Sequence, residues 1–352
     1  MGYVTSGLRI RLQHAVHGLT PGYFALVMAS GIISVGMHLA GRSALSAVLL
    51  VVCATSFVVL VALTGWRIVA YRAAVVDDFT DPGRGFGFFT FIAGANVLGV
   101  RLGMDGHHAL ATGLLAVAGA TWLVLGYVIP WTAVLGRAQR RPVVATANGT
   151  WFIWVVASQS VAVAAASLEP VLATFRDGLA ALAVFSWSVG VFLYAAAGVF
   201  VAARLMMYDL RPVDLTPPYW VAMGAGAITV LAGARIVEMA DAPMVHATRG
   251  LVAGASVAFW AFATWLVPAL VAAGWWRHRT HRVPLAYEAS QWGIVFPLGM
   301  YAVAGIYLGR ADDLPVVGAI GAAGLWVAFA AWLLALVAMV RHVFRTVVRG
   351  AR

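Results

Sequence analysis

Apolar stretches without charge recur along the chain in two alternating kinds. One kind opens on aromatic residues and is rich in glycine and alanine. It begins near Pro21 (PGYFALVMASGIISVG), Gly85 (GFGFFTFIAGANVLGV), Gly149 (GTWFIWVVASQSVAV), Pro218 (PYWVAMGAGAITVLAG) and Gln291 (QWGIVFPLGMYAVAG), at intervals of 64 to 73 residues. Each copy is followed by a longer, greasier stretch of alanine, leucine and valine. A unit repeated at a fixed period is one supersecondary element used several times, so the pattern predicts five helical hairpins whose two helices differ. The ten stretches, from Pro21–Leu39 to Val316–Met339, bracket the ~20 residues of helix that cross a bilayer. They run continuously, without the ten-residue alternation of a transmembrane barrel. Two helix types imply two surroundings: small-residue helices packed inside, greasier helices toward lipid.

Composition agrees. With 62% apolar residues, 10% charged residues and a mean hydropathy of +0.91 over 352 residues, a soluble globular domain is excluded. The division is 1–20, a short amphipathic segment at the cytoplasmic surface; 21–340, the ten-helix transmembrane domain; and 341–352, a basic cytoplasmic tail. The first twenty residues lack the apolar core of a signal peptide. All 23 positive charges are arginines. Ten spans put both termini and the even-numbered loops on one side, which holds seventeen arginines against six on the other. The positive-inside rule then expects both termini in the cytoplasm of a cell-membrane protein. The net charge of +10 is thus a topology signal, with no nucleic-acid partner implied.

The five recurrent segments carry no Asp, Glu, Lys or Arg between their first and last residues. Ionisable groups inside spans mark proton relays and cation paths, so their absence points to anions, which hydroxyls, amides and aromatic ring edges tolerate. Asn96, Ser34, Thr90, Ser158, Gln159, Ser160 and Thr229 offer such contacts or bond neighbouring helices. Pro297, directly after Phe296, sits mid-span, where proline frees a carbonyl and kinks a helix. Cys53 is the single cysteine and reads as packing. His278 and His281 have turn-like spacing without an acidic or thiolate companion. No haem, metal or catalytic cluster is recognisable, so neither a cofactor nor an enzyme is expected.

Several of these segments resemble one family. WGIVFPLGMYAVAG at Trp292–Gly305 is similar to the ninth helix of the tellurite-resistance/dicarboxylate transporters, with its Phe-Pro pair. PPYWVAMGAGAITVLAG at Pro217–Gly233 resembles the seventh helix and PGYFALVMASGII at Pro21–Ile33 the first. The family includes the plant guard-cell slow anion channels and fungal malate and sulfite transporters. The resemblance implies five hairpins around a quasi-five-fold axis, odd-numbered spans lining a pore, even-numbered spans outside, and trimers with one pore per subunit. It also implies that Phe296, backed by Pro297, plugs the pore as a gate. Phe24, Gly31, Phe89, Gly94, Asn96, Phe152, Gly224 and Gly299 are the other candidate lining residues. Unlike the family pattern, no proline interrupts the fifth span, and the third likewise lacks an internal proline. The expected function is a gated conduit for small inorganic or organic anions, C4-dicarboxylates and oxyanions included. The alternative is a proton-coupled dicarboxylate, sulfite or tellurite carrier, which needs a titratable group from among His38, Arg101, Arg235 and Glu238.

Overall fold

A computed structural model describes residues 2–135, 142–240 and 242–349. Arg137, Arg140, Arg141 and Arg352 of the arginine-rich face lie outside them. Among the described residues the secondary structure is helical throughout, and ten helices are long and apolar enough to cross a membrane. They run Pro21–Leu39, Ser43–Ala70, Gly85–Met104, His108–Leu135, Gly149–Leu168, Ala173–Met207, Pro217–Val237, Pro243–Thr280, Ala289–Ala311 and Pro315–Val347. In hydrocarbon every backbone donor and acceptor must be satisfied within the protein, and the helix does this locally.

The five odd-numbered spans share a local beginning. Each opens with one 3-10 turn: Pro21–Phe24, Gly85–Phe88, Gly149–Trp151, Pro217–Trp220 and Ala289–Gln291, the first four carrying aromatic residues of the segment's head and the last directly preceding Trp292. Pro21 and Pro217 stand at the first helical position, where proline loses no intrahelical bond. The even-numbered spans are longer, and two of them, the eighth and tenth, begin on Pro243 and Pro315.

The expected division into inner and outer helices is present. Between 72% and 89% of each odd-numbered span's apolar window is buried, against 11% to 39% for the even-numbered ones. Each odd span packs on the even span that follows it. The inner spans also contact one another in a closed order: first to third, third to fifth, fifth to seventh, seventh to ninth, and ninth back to first. A ring of five inner helices with five outer helices behind it is consistent with the quasi-five-fold arrangement that the repeat suggests. The fifth span is an uninterrupted helix after its opening turn, as its lack of proline predicts.

Because lipid tails are as apolar as leucine, helices in a membrane associate through close packing and hydrogen bonds. Glycine provides the closest approaches. A Cβ at Gly321 of the tenth span would stand 2.6 Å from the Ala302 carbonyl oxygen and 2.7 Å from the Ile306 nitrogen of the ninth. At Gly309 it would stand 2.7 Å from Gly318 Cα. Polar side chains add bonds between spans: Ser34 and Ser46 exchange hydroxyl-to-carbonyl bonds of 2.7 Å between the first and second, and Trp332 Nε1 donates to Ser30 Oγ at 2.9 Å between the tenth and first. Gly254, on the eighth span, has open space where a Cβ would be. Gly321→Ala should therefore lower stability by about 1–3 kcal/mol through overpacking, read as a fall in Tm of the detergent-purified protein. Gly254→Ala should leave Tm unchanged.

Candidate permeation pathway

The inner ring encloses space at both ends. On the side of the termini, a cavity of about 480 Å³ is walled by all five inner helices, through Met28, Thr90, Ile153, Val221 and Phe296 among others. Toward the opposite side, a narrow cavity with room for about 20 Å³ is again bordered by all five, through Ile32, Asn96, Ser160, Ile228 and Met300 among others. That is little more than one water molecule occupies. It continues past Arg235, Tyr307 and Ser167 into an outer vestibule of about 200 Å³ that reaches His108.

No residue borders both the inner cavity and the narrow one. Phe296 and Met300 are one helical turn apart on the same face, with Phe296 on the inner cavity and Met300 on the narrow one. The Phe296 ring, buried to 1% exposure, stands at this closed waist. Pro297 lies inside the ninth helix beside it and packs on the seventh: a Cβ at Gly224 would meet Pro297 Cγ at 2.8 Å.

The inner rim is polar. Arg84 borders the cavity and pairs with Asp78 at 3.1 Å; Asp78 is itself buried and holds Arg67 at 2.7 Å. Arg67 Nε donates to the His17 carbonyl, tying the helix Gly2–His17 to the second span. Glu288, His342 and Tyr287 complete the rim. Tyr287 Oη lies 3.2 Å from Tyr23 Oη and accepts from Trp292 Nε1 at 3.0 Å. Burial, with the Tyr23 hydroxyl next, pushes the Tyr287 phenol well above its ordinary range, so it stays neutral.

The candidate residues separate into two groups. Asn96 and Phe296 lie on the axial cavities. Asn96 Nδ2 donates to Ser160 Oγ at 2.9 Å, joining the third and fifth spans, while its buried Oδ1 has no partner among the described residues. The others sit between helices. Phe24 meets Phe57 and Phe91 edge-on beside a groove of the first four spans. Phe89 stacks on Trp154 of the fifth span, and Phe152 contacts Tyr194 of the sixth. A Cβ at Gly31 would strike Val97, one at Gly94 would touch Val27, and one at Gly299 would meet Ile32 and Ile33. In this structure these positions pack between helices, and none of them is among the residues that border the axial cavities.

The polar candidates are likewise mostly structural. Ser158 donates to the Ser186 carbonyl, Gln159 Nε2 to the Trp187 carbonyl, and Thr229 to Ala225 within its own helix. Arg101 is buried among the first three spans, donating from Nε to Ser34 Oγ and Ser46 Oγ and pairing with Asp105 at 2.8 Å. Thr90 borders the inner cavity but bonds the Pro21 and Gly87 carbonyls. Sequence reasoning missed Met28, Ile153, Val221 and Tyr307. Nothing in their type distinguishes them from packing residues.

Ten spans, with an inner ring enclosing an axial path closed at one level, define a channel or transporter. The family model described as voltage-dependent anion channel matches residues 18–340, and the chain belongs to that family of anion channels and transporters, the one its segments resemble. A stretch of 161 residues is 63% identical to an uncharacterized membrane protein of Mycobacterium tuberculosis, covering 46% of this chain and 82% of that one. Two uncharacterized transporters of Methanocaldococcus jannaschii are similar over almost the full length. One is 23% identical over 338 residues, 94% of each chain. The second is 22% identical over 340 residues, 95% of this chain and 97% of the other.

The inner-rim ion pairs provide a test of what holds the rim together. Removing one partner of a buried pair strands the other charge at a cost of about 3–5 kcal/mol. Asp78→Ala should cost about that much, whereas Arg84→Ala, which removes a half-exposed partner, should cost less than about 1 kcal/mol. Thermal unfolding of both variants in detergent checks the difference.

Proposed function

We propose that the protein is a conduit for small anions, inorganic or carboxylate, and that Phe296 occludes it. The observation that carries this reading is the pair of axial cavities that end on either side of the Phe296–Met300 turn. A bulky apolar ring dewets a narrow lumen and stops ions until it moves aside. The waist favours anions by what it lacks, since no carboxylate borders the narrow cavity between Asn96 and Met300. The seventeen-to-six arginine bias supports insertion in the cell membrane with both termini, and so the larger cavity, on the cytoplasmic side. Membership of the family supports a homotrimer in which each subunit keeps its own path.

Anion flux into proteoliposomes, across chloride, nitrate, malate and sulfite, tests the proposal. Phe296→Ala should raise flux at least tenfold without a proton gradient. If that variant is as silent as wild type, while a proton gradient drives dicarboxylate uptake equally in both, occlusion by Phe296 is wrong and the protein is a coupled carrier.

A further inference from the structure

The narrow cavity and the outer vestibule share Val100, Ser167, Arg235 and Tyr307. An ion passing between them must pass a guanidinium. Arg235, in the last turn of the seventh span, is held in place on two sides. Its guanidinium carbon lies 5.4 Å from the centre of the Tyr307 ring, and its Nη1 lies 2.7 Å from Glu238 Oε2 one turn further on. Arg235 is 23% exposed and Glu238 37%, so the pair sits at the open mouth and not in the sealed core.

Two other arginines of this end serve elsewhere. Arg101 is committed to Ser34, Ser46 and Asp105, and Arg176 to Glu169 at 2.9 Å. Among the described residues, Arg235 Nε and Nη2 hold no protein partner, and neither does the Tyr307 hydroxyl. Ser167 spends its proton on the Val163 carbonyl. The free donors at the throat are thus two guanidinium nitrogens and a phenol, and the group the guanidinium already holds is a carboxylate.

We propose that Arg235 and Tyr307 form a capture site for a carboxylate or another planar oxyanion arriving from the face opposite the termini, with Glu238 as a built-in competitor. The inference rests on the conduit reading and adds to it a point of selection. A guanidinium presents parallel N–H donors that match two oxygens of a trigonal anion and cannot be matched by a spherical halide. An exposed Arg–Glu pair is weak, so an incoming oxyanion displaces Glu238 without large loss, and the released carboxylate stays in water. Passage inward then requires the anion to leave Arg235 for the Asn96 and Ser160 level.

Two measurements test this, one of them independent of conduction. In planar bilayers, with Phe296→Ala as background and nitrate or acetate raised only on the face opposite the termini, Arg235→Gln should raise the half-saturating concentration about tenfold. Arg235→Lys, which keeps charge but loses the fork, should recover halide flux more than nitrate flux. Glu238→Gln should lower the half-saturating concentration severalfold. In detergent, nitrate should raise the Tm of the wild-type protein more than chloride does, and Arg235→Gln should abolish that difference. Equal half-saturation and equal nitrate stabilisation in wild type, Arg235→Gln and Glu238→Gln would overturn the capture site. Should Arg235→Gln fail to fold, an unchanged half-saturation in Glu238→Gln overturns it alone. Nitrate stabilisation that depends on Arg235, in a protein whose Phe296→Ala variant carries no flux, would keep the site and sink the conduit.

Discussion

Everything in this bundle depends on how closely helix backbones approach each other. Without water to drive apolar surfaces together, the inner spans are held by dispersion at contacts that only small residues allow. The ninth and tenth spans show this, where Gly321 leaves no room for a Cβ against the Ala302 carbonyl. The beginning of the fifth span at Gly149 presses on the backbone of Pro218 and Tyr219 in the same way. Such glycine approaches join the first span to the third, the fifth to the seventh, the seventh to the ninth and the ninth to the first, while Asn96–Ser160 and Phe89–Trp154 join the third to the fifth; the closure of this ring is what leaves an axis along which side chains meet.

Charge is distributed so that this axis stays nearly free of it at mid-membrane. A fully buried ion pair, Arg67 with Asp78, joins neighbouring elements at one end, where the low dielectric that makes it costly to break makes it an effective staple. At the other end Arg101 is buried but its partner Asp105, one turn further along the same helix, is exposed. Among the described residues, the axial cavities meet arginines only at their outer limits, Arg84 at the inner rim and Arg235 at the throat. This layout suits an anion that exchanges hydration for a guanidinium at an entrance and then crosses a short uncharged waist. The family's description includes voltage dependence, yet no span repeats arginine at helical intervals as a voltage-sensing helix does.

The two-kind repeat, the count of ten spans and the separation into inner and outer helices were all legible in the sequence. Lipid contact and protein contact demand different compositions, and span length is set by the bilayer. The lining of the path was legible only in part. The aromatic heads drew attention to Phe24, Phe89 and Phe152, yet these rings wedge between neighbouring helices. In every inner span the residue directly after the aromatic head borders the inner cavity: Ala25, Thr90, Ile153, Val221 and Gly293, joined in the first and ninth spans by Met28 and Phe296 about one turn further on. The repeat conserves the rotation of these helices, but the lining position lies one residue after the ring that marks it in the sequence.

The sequence by itself therefore determined environment, span number, hairpin order and the uncharged character of the inner helices, because each follows from local composition against the bilayer. Tertiary structure decided which face of each inner helix meets the axis, that of the candidate residues Asn96, Phe296, Thr90 and Ser160 border the cavities, and that Arg235 stands between the narrow cavity and the outer vestibule. Those outcomes depend on the rotation and depth of five helices packed against one another. That packing is fixed by contacts between residues far apart in the chain.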